Sequence, residues 1–439
     1  RALATATEAF RHRDGWLPGR ERAAILRRLA AAMEANAEDL AMQAAREGGK
    51  PLLDSRIEVA RAIDGVHNCV EAMRSEGGRE IPMNFNQASS GRLAFTTREP
   101  IGVVVSLSAF NHPVNLIVHQ VAPAVATGCP VIVKPAESTP LSCLRLVEML
   151  REAGLPEAWC QAFVSSAHEH TETLISDPRV AFMSFIGSAR VGWMLRSRLA
   201  PGTRCALEHG GVAPVIVGQD ADLADAVPRL VKAGFYHAGQ VCVSVQRVLA
   251  HRAVAAELAE RLGRAAGALV VGDPCDSSTE VGPLIRPGEV DRVEAWVQEA
   301  IDGGAVCVTG GRRLDERCYA PTVLLDPPAG SRVRREEIFG PVVCVTAFDE
   351  VDEAIDIANE LPYAFQASVF TRDIEFMNRC FRRLRAAAVM INEHTAFRVD
   401  WMPFAGLSVS GLGIGGIPYT MRDMQVEKMM VLRSEELGA

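Results

Sequence analysis

Between residues 101 and 153 the chain alternates short β-branched runs with amphipathic stretches. Residues 101–107 and 130–133 read as buried strands, and 115–126 and 141–153 read as helices. Continuous apolar runs, as opposed to alternating ones, belong to strands covered on both faces. Strands that alternate with helices in this way form a parallel, doubly wound sheet, which takes its ligand at the carboxyl ends of the strands. The pattern resumes further on, with strands expected at 213–217, 245–250, 305–309 and 342–348 and helices at 189–198, 230–238, 252–269 and 290–302. Ahead of it, 20–36, 38–47 and 53–75 carry apolar residues at helical spacing, and Gly48-Gly49-Lys50-Pro51 stops one helix and restarts the next. Residues 92–99 alternate like an exposed strand, and 361–370, 387–392 and 424–433 are strand-rich.

A chain of 439 residues is too long for one simple core and suggests two or three domains. A net charge of -8 offers no basic surface to nucleic acid. No apolar run reaches the ~18 residues that span a bilayer, so no membrane partner is expected. Eleven cysteines are scattered without a C-x-x-C pair, and His168 and His170 have no cysteine nearby to complete a ligand set. That usage fits a reduced, cytoplasmic protein with no metal site. The first residue is Arg1 in place of Met, so further residues are expected upstream.

The chemistry gathers at Phe235-Tyr236-His237-Ala238-Gly239-Gln240-Val241-Cys242, where a cysteine follows a Gly-Gln pair. A thiol placed where a glycine admits close approach is a candidate nucleophile. Taken alone, Cys242 reads sooner as a buried core thiol, and it is the context that reverses this reading. Upstream, Glu208 precedes a glycine pair in Glu208-His209-Gly210-Gly211, leaving room for a strand and a helix before the thiol. A nucleophile with a nearby carboxylate suggests covalent catalysis followed by base-assisted hydrolysis.

With these two motifs the sequence resembles the aldehyde dehydrogenase superfamily, whose catalytic Glu lies in E-L-G-G and whose nucleophile lies in G-Q-x-C. The likeness extends to the lactaldehyde and phosphonoacetaldehyde dehydrogenase branch. Ala109-Phe110-Asn111 corresponds to the family's P-W-N, which implies that Asn111 donates to the oxyanion together with the Cys242 N–H. Lys134-Pro135-Ala136-Glu137 corresponds to K-P-x-E, which implies that Lys134 and Glu137 hold the adenosine ribose; the carboxylate favours NAD, with NADP as the alternative. Phe185-Ile186-Gly187-Ser188 corresponds to F-T-G-S, which implies that Gly187 and Ser188 meet the pyrophosphate. Glu336-Glu337-Ile338-Phe339-Gly340-Pro341 corresponds to E-E-x-F-G-P, which implies that Glu337 binds the nicotinamide ribose and Phe339 packs near the ring. Leu107, Ser108 and Gly210 complete the implied cofactor contacts. Gly411 to Gly416 formally matches G-x-G-x-x-G, but no strand leads into it and no dinucleotide helix follows; it reads as the tail of P-F-G-G…S-G-x-G.

The implied architecture is α/β: a Rossmann-like doubly wound cofactor domain (1–79 and 101–210), an α/β catalytic domain (211–415) and a small β bridging or oligomerisation element (80–100 and 416–439). A homodimer or homotetramer follows from the same likeness. The implied activity is NAD(P)-dependent oxidation of an aldehyde through a thiohemiacetal and a thioester on Cys242, released by water that Glu208 activates. The pocket is expected from His112, Leu116, His119, Val241, Val243, Arg398 and Phe404. Relatives acting on apolar aldehydes carry aromatics at several of these positions, so a small polar or anionic aldehyde is expected here; the alternative is that Arg398 pairs with Asp400 or Asp423 and that His119 is a satisfied core residue. A reductase of an activated acid and a non-catalytic homologue are the two other classes; Glu208 weighs against the first, and the retained Cys242, Asn111 and Glu208 against the second.

Overall fold

The computed structural model describes residues 1–75 and 77–437; the final two residues of the expected 416–439 element lie outside them. Six strands form one sheet in the order Gly411–Leu412, Arg204–Glu208, Val180–Ile186, Val103–Leu107, Val131–Lys134, Cys160–Ala162. All neighbours pair in parallel except the edge strand Gly411–Leu412. Val103–Leu107 is buried along its whole length, as its unbroken apolar run requires. Helices Gly19–Ala35, Leu52–Ser75 and Asn115–Thr127 cover one face through Leu29, Val66 and Val118. Leu3, Met183 and Leu195 belong to the core on the other.

From Val103–Leu107 the chain moves outward on one side through Val131–Lys134 and Cys160–Ala162, then returns on the other side as Val180–Ile186. This reversal opens a crevice at the carboxyl ends of Val103–Leu107 and Val180–Ile186, the place where an open α/β sheet receives a ligand.

A seven-stranded sheet follows in the order Val306–Thr309, Thr322–Leu325, Val342–Phe348, Arg247–His251, Pro214–Val217, Gln366–Phe370, Ala388–Ile391. Only the first pair is antiparallel. The third assembly is a ribbon of Glu80–Ile81, Arg92–Pro100 and Gln425–Arg433, whose last strand exposes Met429, Met430, Val431 and Leu432. Among the described residues no helix is long and apolar enough to cross a membrane.

Two local readings need correction. The helix expected to run to 238 is Leu223–Phe235, because His237 and Ala238 take left-handed conformations (φ 50° and 54°) that no α-helix continues. The strand expected at 245–250 begins only at Arg247 and runs to His251, since the residues ahead of it form a turn in which Ser244 N–H donates to Val241 O at 2.9 Å.

The helical layer is joined to the crevice by a buried ion pair. Lys50 Nζ donates to Glu58 Oε2 at 2.8 Å, with side chains 1% and 0% exposed. Glu58 Oε1 accepts from the N–H groups of Val114 (2.8 Å) and Asn115 (3.0 Å), capping helix Asn115–Thr127 from another element. Lys50 Nζ also lies 3.5 Å from Asn111 O. Burial lowers the Lys50 pKa, and Glu58 opposes that shift. Removing one member of such a pair strands the other charge, so Lys50→Met is expected to cost about 3–5 kcal/mol of unfolding free energy. Urea unfolding checks this. The double variant Lys50→Met/Glu58→Gln should recover part of the loss, because the introduced carboxamide is neutral and can still accept at the helix start.

Candidate active site

Cys242 stands in a turn clamped from several sides. Ser244 Oγ donates to Ala233 O (3.0 Å) and Gly234 O (3.3 Å), tying the turn to the end of helix Leu223–Phe235. Thr395 Oγ1 donates to Val243 O at 2.7 Å. Gln240 uses its whole side chain: Nε2 donates to His237 O (3.2 Å) and Pro283 O (3.3 Å), and Oε1 accepts from Ile285 N–H (2.9 Å). Just before it, His237, Ala238 and Gly239 all have positive φ, and for the two non-glycine residues that conformation is strained.

Asn111, at the carboxyl end of the first sheet, reaches across and donates through Nδ2 to Gln240 O at 3.0 Å. One side-chain hydrogen bond thus joins the amide to the turn that carries the thiol. Glu208 ends strand Arg204–Glu208, and its carboxylate occupies the space a side chain at Gly415 would need. Phe404 and Gly415 exchange backbone hydrogen bonds of 3.0 and 2.7 Å, and Gly411 pairs with Glu208 across the sheet edge. The glycine-rich tail 411–416 therefore forms the wall behind the Glu208 carboxylate.

These groups act on one another electrically. Burial pushes the Cys242 thiol up to about 12; Arg398 pulls it down, and Glu208 and Glu337 push it further up. Burial also raises the Glu208 pKa, against the attraction of Arg398. Glu337 is raised to about 7 by burial, opposed by the Gly211 N–H and Arg292.

The implied cofactor positions surround the crevice. Ser108 N–H donates to Lys134 O at 3.0 Å, while Leu107 O accepts from Gln120 Nε2 at 3.2 Å. Lys134 Nζ meets Glu137 Oε1 at 3.4 Å, the lysine largely covered and the carboxylate partly exposed. Gly187 N–H donates to Glu208 O at 3.0 Å, and Ser188 caps helix Ala189–Arg196 without using its hydroxyl. The Glu337 carboxylate lies across Gly210, where a Cβ would overlap it. Phe339 has φ 47° and packs edge-on to Phe110, centroids 5.9 Å apart. The buried atoms Ser108 Oγ and Glu337 Oε1 have no hydrogen-bond partner among the described residues. A hydroxyl and a carboxylate oxygen left open at the crevice fit the hydroxyl-rich ribose and phosphates of a dinucleotide.

On the substrate side, Val241, Val243, Phe365 and Phe404 form one apolar cluster against which Cys242 packs. The Arg398 guanidinium lies 3.6 Å from the Phe404 ring centroid and is the cation that acts on both Cys242 and Glu208. His112 sits edge-on to Tyr236 and His237, its pKa held far below the usual value by burial and then by Lys50 and Arg61. Leu116 is half-buried in the first turn of helix Asn115–Thr127. His119 is buried, with Nε2 2.7 Å from Asp400 Oδ1 and Nδ1 3.5 Å from Arg398 Nη2.

Several contributors carry no motif. Gln246 holds the Glu337 loop by donating to Glu336 O (2.7 Å) and Val333 O (3.2 Å) and accepting from Ile338 N–H (2.9 Å). A lone glutamine in an otherwise apolar run is the available signal. His209 donates through Nδ1 to Gly187 O at 2.9 Å, between Phe185 and Trp193. Asp400 is legible as a candidate partner of Arg398, which lies 3.9 Å away, and the Lys50–Glu58 pair gives no signal in the sequence.

A thiol, a buried carboxylate and an amide donor on facing sheet ends, beside a crevice open to a dinucleotide, define an NAD(P)-dependent oxidoreductase of the α/β class. The pattern of the aldehyde dehydrogenase family matches residues 1–430, and the chain belongs to that family, whose members oxidise aldehydes. The 3-sulfolactaldehyde dehydrogenase of Priestia aryabhattai is 37% identical over 432 residues, covering 98% of this chain and 90% of that protein. The lactaldehyde dehydrogenase of Methanocaldococcus jannaschii is 35% identical over 420 residues, covering 95% of this chain and 89% of that protein. Among solved structures, aldehyde dehydrogenase 21 from Physcomitrella patens, in complex with the reaction product succinate, superposes with TM-score 0.94 at 34% identity, covering 98% of this chain and 89% of that one. Glyceraldehyde-3-phosphate dehydrogenase from Methanocaldococcus jannaschii, complexed with NADP, also gives TM-score 0.94 at 34% identity, covering 99% and 93%.

The charges around Cys242 set an expected order of thiol reactivity. A neighbouring anion disfavours the thiolate and a neighbouring cation favours it. At pH 8 without cofactor, Glu337→Gln should therefore speed iodoacetamide labelling of Cys242 and Arg398→Met should slow it, each by roughly three- to ten-fold, since one pKa unit is a tenfold change in thiolate. Below pH 7 the Glu337→Gln effect should shrink, because wild-type Glu337 is then becoming neutral. Peptide mass spectrometry, which resolves Cys242 from the other ten cysteines, provides the readout.

Proposed function

We propose that the chain oxidises a small anionic aldehyde to the corresponding acid, with Cys242 as nucleophile, Asn111 as oxyanion donor and Glu208 as the base for hydrolysis. The observation that carries the substrate class is Arg398: a covered guanidinium lying on Phe404 beside the thiol, with its Nε buried, 3.9 Å from Asp400 Oδ1 and without a hydrogen bond among the described residues. A buried cation with an open donor is stabilised by an anionic ligand group. The relatives named for sulfolactaldehyde and the neighbour holding succinate support the same class.

Cys242 attacks the aldehyde carbon, and its proton leaves for a neighbouring carboxylate that burial has made basic, Glu208 or Glu337, which passes it to solvent before the hydrolytic step. The new oxyanion is met by the Asn111 amide and the Cys242 N–H, with Asn111 already aimed at the turn by its bond to Gln240. Bound nicotinamide supplies the hydride acceptor. Glu337 and Ser108 would hold the dinucleotide through the atoms left open, and Lys134 and Glu137 would hold its adenosine end. Glu208, set against Gly415, then takes a proton from water as that water attacks the thioester. The partly exposed Glu137 carboxylate favours NAD, with NADP as the alternative.

The same reading divides the chain into a cofactor domain (1–79 and 101–210), a catalytic domain (211–415) and a bridging ribbon (80–100 and 416–439). The exposed apolar strand Gln425–Arg433 supports a homodimer or homotetramer that covers it. All eleven cysteines are unpaired, which supports a reducing, cytoplasmic setting.

Nicotinamide reduction measured with paired anionic and neutral aldehydes, each with NAD and NADP, tests the reading. Cys242→Ala should abolish turnover. Arg398→Ala should lower the anionic-to-neutral ratio of kcat/KM by roughly ten- to a hundred-fold, the worth of a charged hydrogen bond; an unchanged ratio would remove the anionic assignment. Glu208→Gln should release one equivalent of reduced nicotinamide per site and then slow by about 10²–10⁴-fold as thioester accumulates.

A further inference from the structure

Arg398 is a long side chain beside a buried carboxylate that attracts it, Glu208. Drawn onto that carboxylate, it would occupy the base and close the anion site together. The structure instead holds it at the end of a chain of buried polar groups. Asp400, two residues on, accepts from Arg61 through both oxygens, Nε to Oδ2 at 3.1 Å and Nη2 to Oδ1 at 2.7 Å. Its Oδ1 also lies 2.7 Å from His119 Nε2 and 3.4 Å from Asn115 Nδ2. Its backbone is fixed as well, with Asp400 O accepting from Ile417 N–H at 2.9 Å. Arg398 Nε is 3.9 Å from Asp400 Oδ1, an ion-pair contact beyond hydrogen-bond reach, so the carboxylate attracts the guanidinium without fixing its orientation by a hydrogen bond.

His119 makes the connection. A carboxylate paired with arginine only accepts, so His119 Nε2 carries the proton. In the neutral ring Nδ1 is then an acceptor, and it faces Arg398 Nη2 at 3.5 Å. Both ring nitrogens are thereby committed to protein groups. We propose that His119 and Asp400 are positioning residues for substrate selectivity: Asp400, anchored by Arg61, fixes the His119 tautomer, and His119 holds Arg398 on Phe404, off Glu208, with Nε left for the substrate's anionic group. The inference rests on the reading of Arg398 as the anion anchor.

The test compares kcat/KM for succinate semialdehyde and butanal, chains of equal length with and without a carboxylate, in wild type, Arg398→Ala, His119→Leu and His119→Gln. Glutamine can offer an N–H to Asp400 and a carbonyl to Arg398; leucine offers neither. The anionic-to-neutral ratio is expected to fall about ten-fold in His119→Leu and to return to within about three-fold of wild type in His119→Gln. A wild-type ratio in His119→Leu alongside a fallen ratio in Arg398→Ala overturns the positioning role and leaves the Arg398 reading standing. A wild-type ratio in Arg398→Ala overturns both. Equal ratios in the Leu and Gln variants overturn the tautomer argument. Should His119→Leu fail to fold, Asp400→Asn, of the same volume but without the charge, takes its place: a lowered ratio supports the proposal and a wild-type ratio overturns it.

Discussion

A buried carboxamide must satisfy each of its polar atoms or lose stability, and Gln240 does so by binding two stretches of chain, at 237 and 283–285, to the Cys242 turn. Its Nε2 joins His237 and Pro283, its Oε1 takes the Ile285 N–H, and its own carbonyl receives Asn111 from the opposite sheet. The strained conformations at His237 and Ala238 persist because this network leaves the backbone no better alternative. The Cys242 turn and the Asn111 amide thus have their relative positions set by one residue, Gln240. Asn111 is in turn tied back to the helices through Lys50 and Glu58.

The electrostatics of the pocket are a standing conflict. Two carboxylates and burial oppose the thiolate, and one guanidinium favours it. Glu337 and Glu208 share the effect of burial but differ in surroundings: Glu337 meets the Gly211 N–H and Arg292, Glu208 meets Arg398. Arg398 therefore serves two anions already in the protein before any substrate arrives, and its placement matters more than its presence.

Local chemistry makes much of this legible in advance. The apolar runs around Val103–Leu107 and Val131–Lys134 declare a covered parallel sheet, and the residue sets around Cys242, Glu208, Asn111 and Glu337 sit at strand ends and turns where local sequence dictates backbone shape. Partnerships between distant residues leave no such trace. Arg61 and Asp400 are 339 positions apart, and neither the helical spacing around Arg61 nor the loop around Asp400 hints at the other. The helical pattern runs three residues past Phe235 because Tyr236, His237 and Ala238 have no local reason to break it; tertiary bonds impose the turn. His119 is legible as a polar pocket residue, but its commitment to Asp400 and Arg398 is not.

Strand Arg204–Glu208 ends in a peptide unit with two attachments: the Glu208 carboxylate lies against Gly415, and the Glu208 carbonyl takes the Gly187 N–H from the loop expected to meet the pyrophosphate. His209, the next residue, grips Gly187 O from the other side. Loop and carboxylate are consequently one mechanical piece. A mutation or chimera that shifts the Gly187 loop drags the Glu208 carboxylate with it, so the two positions vary as a linked pair in this scaffold.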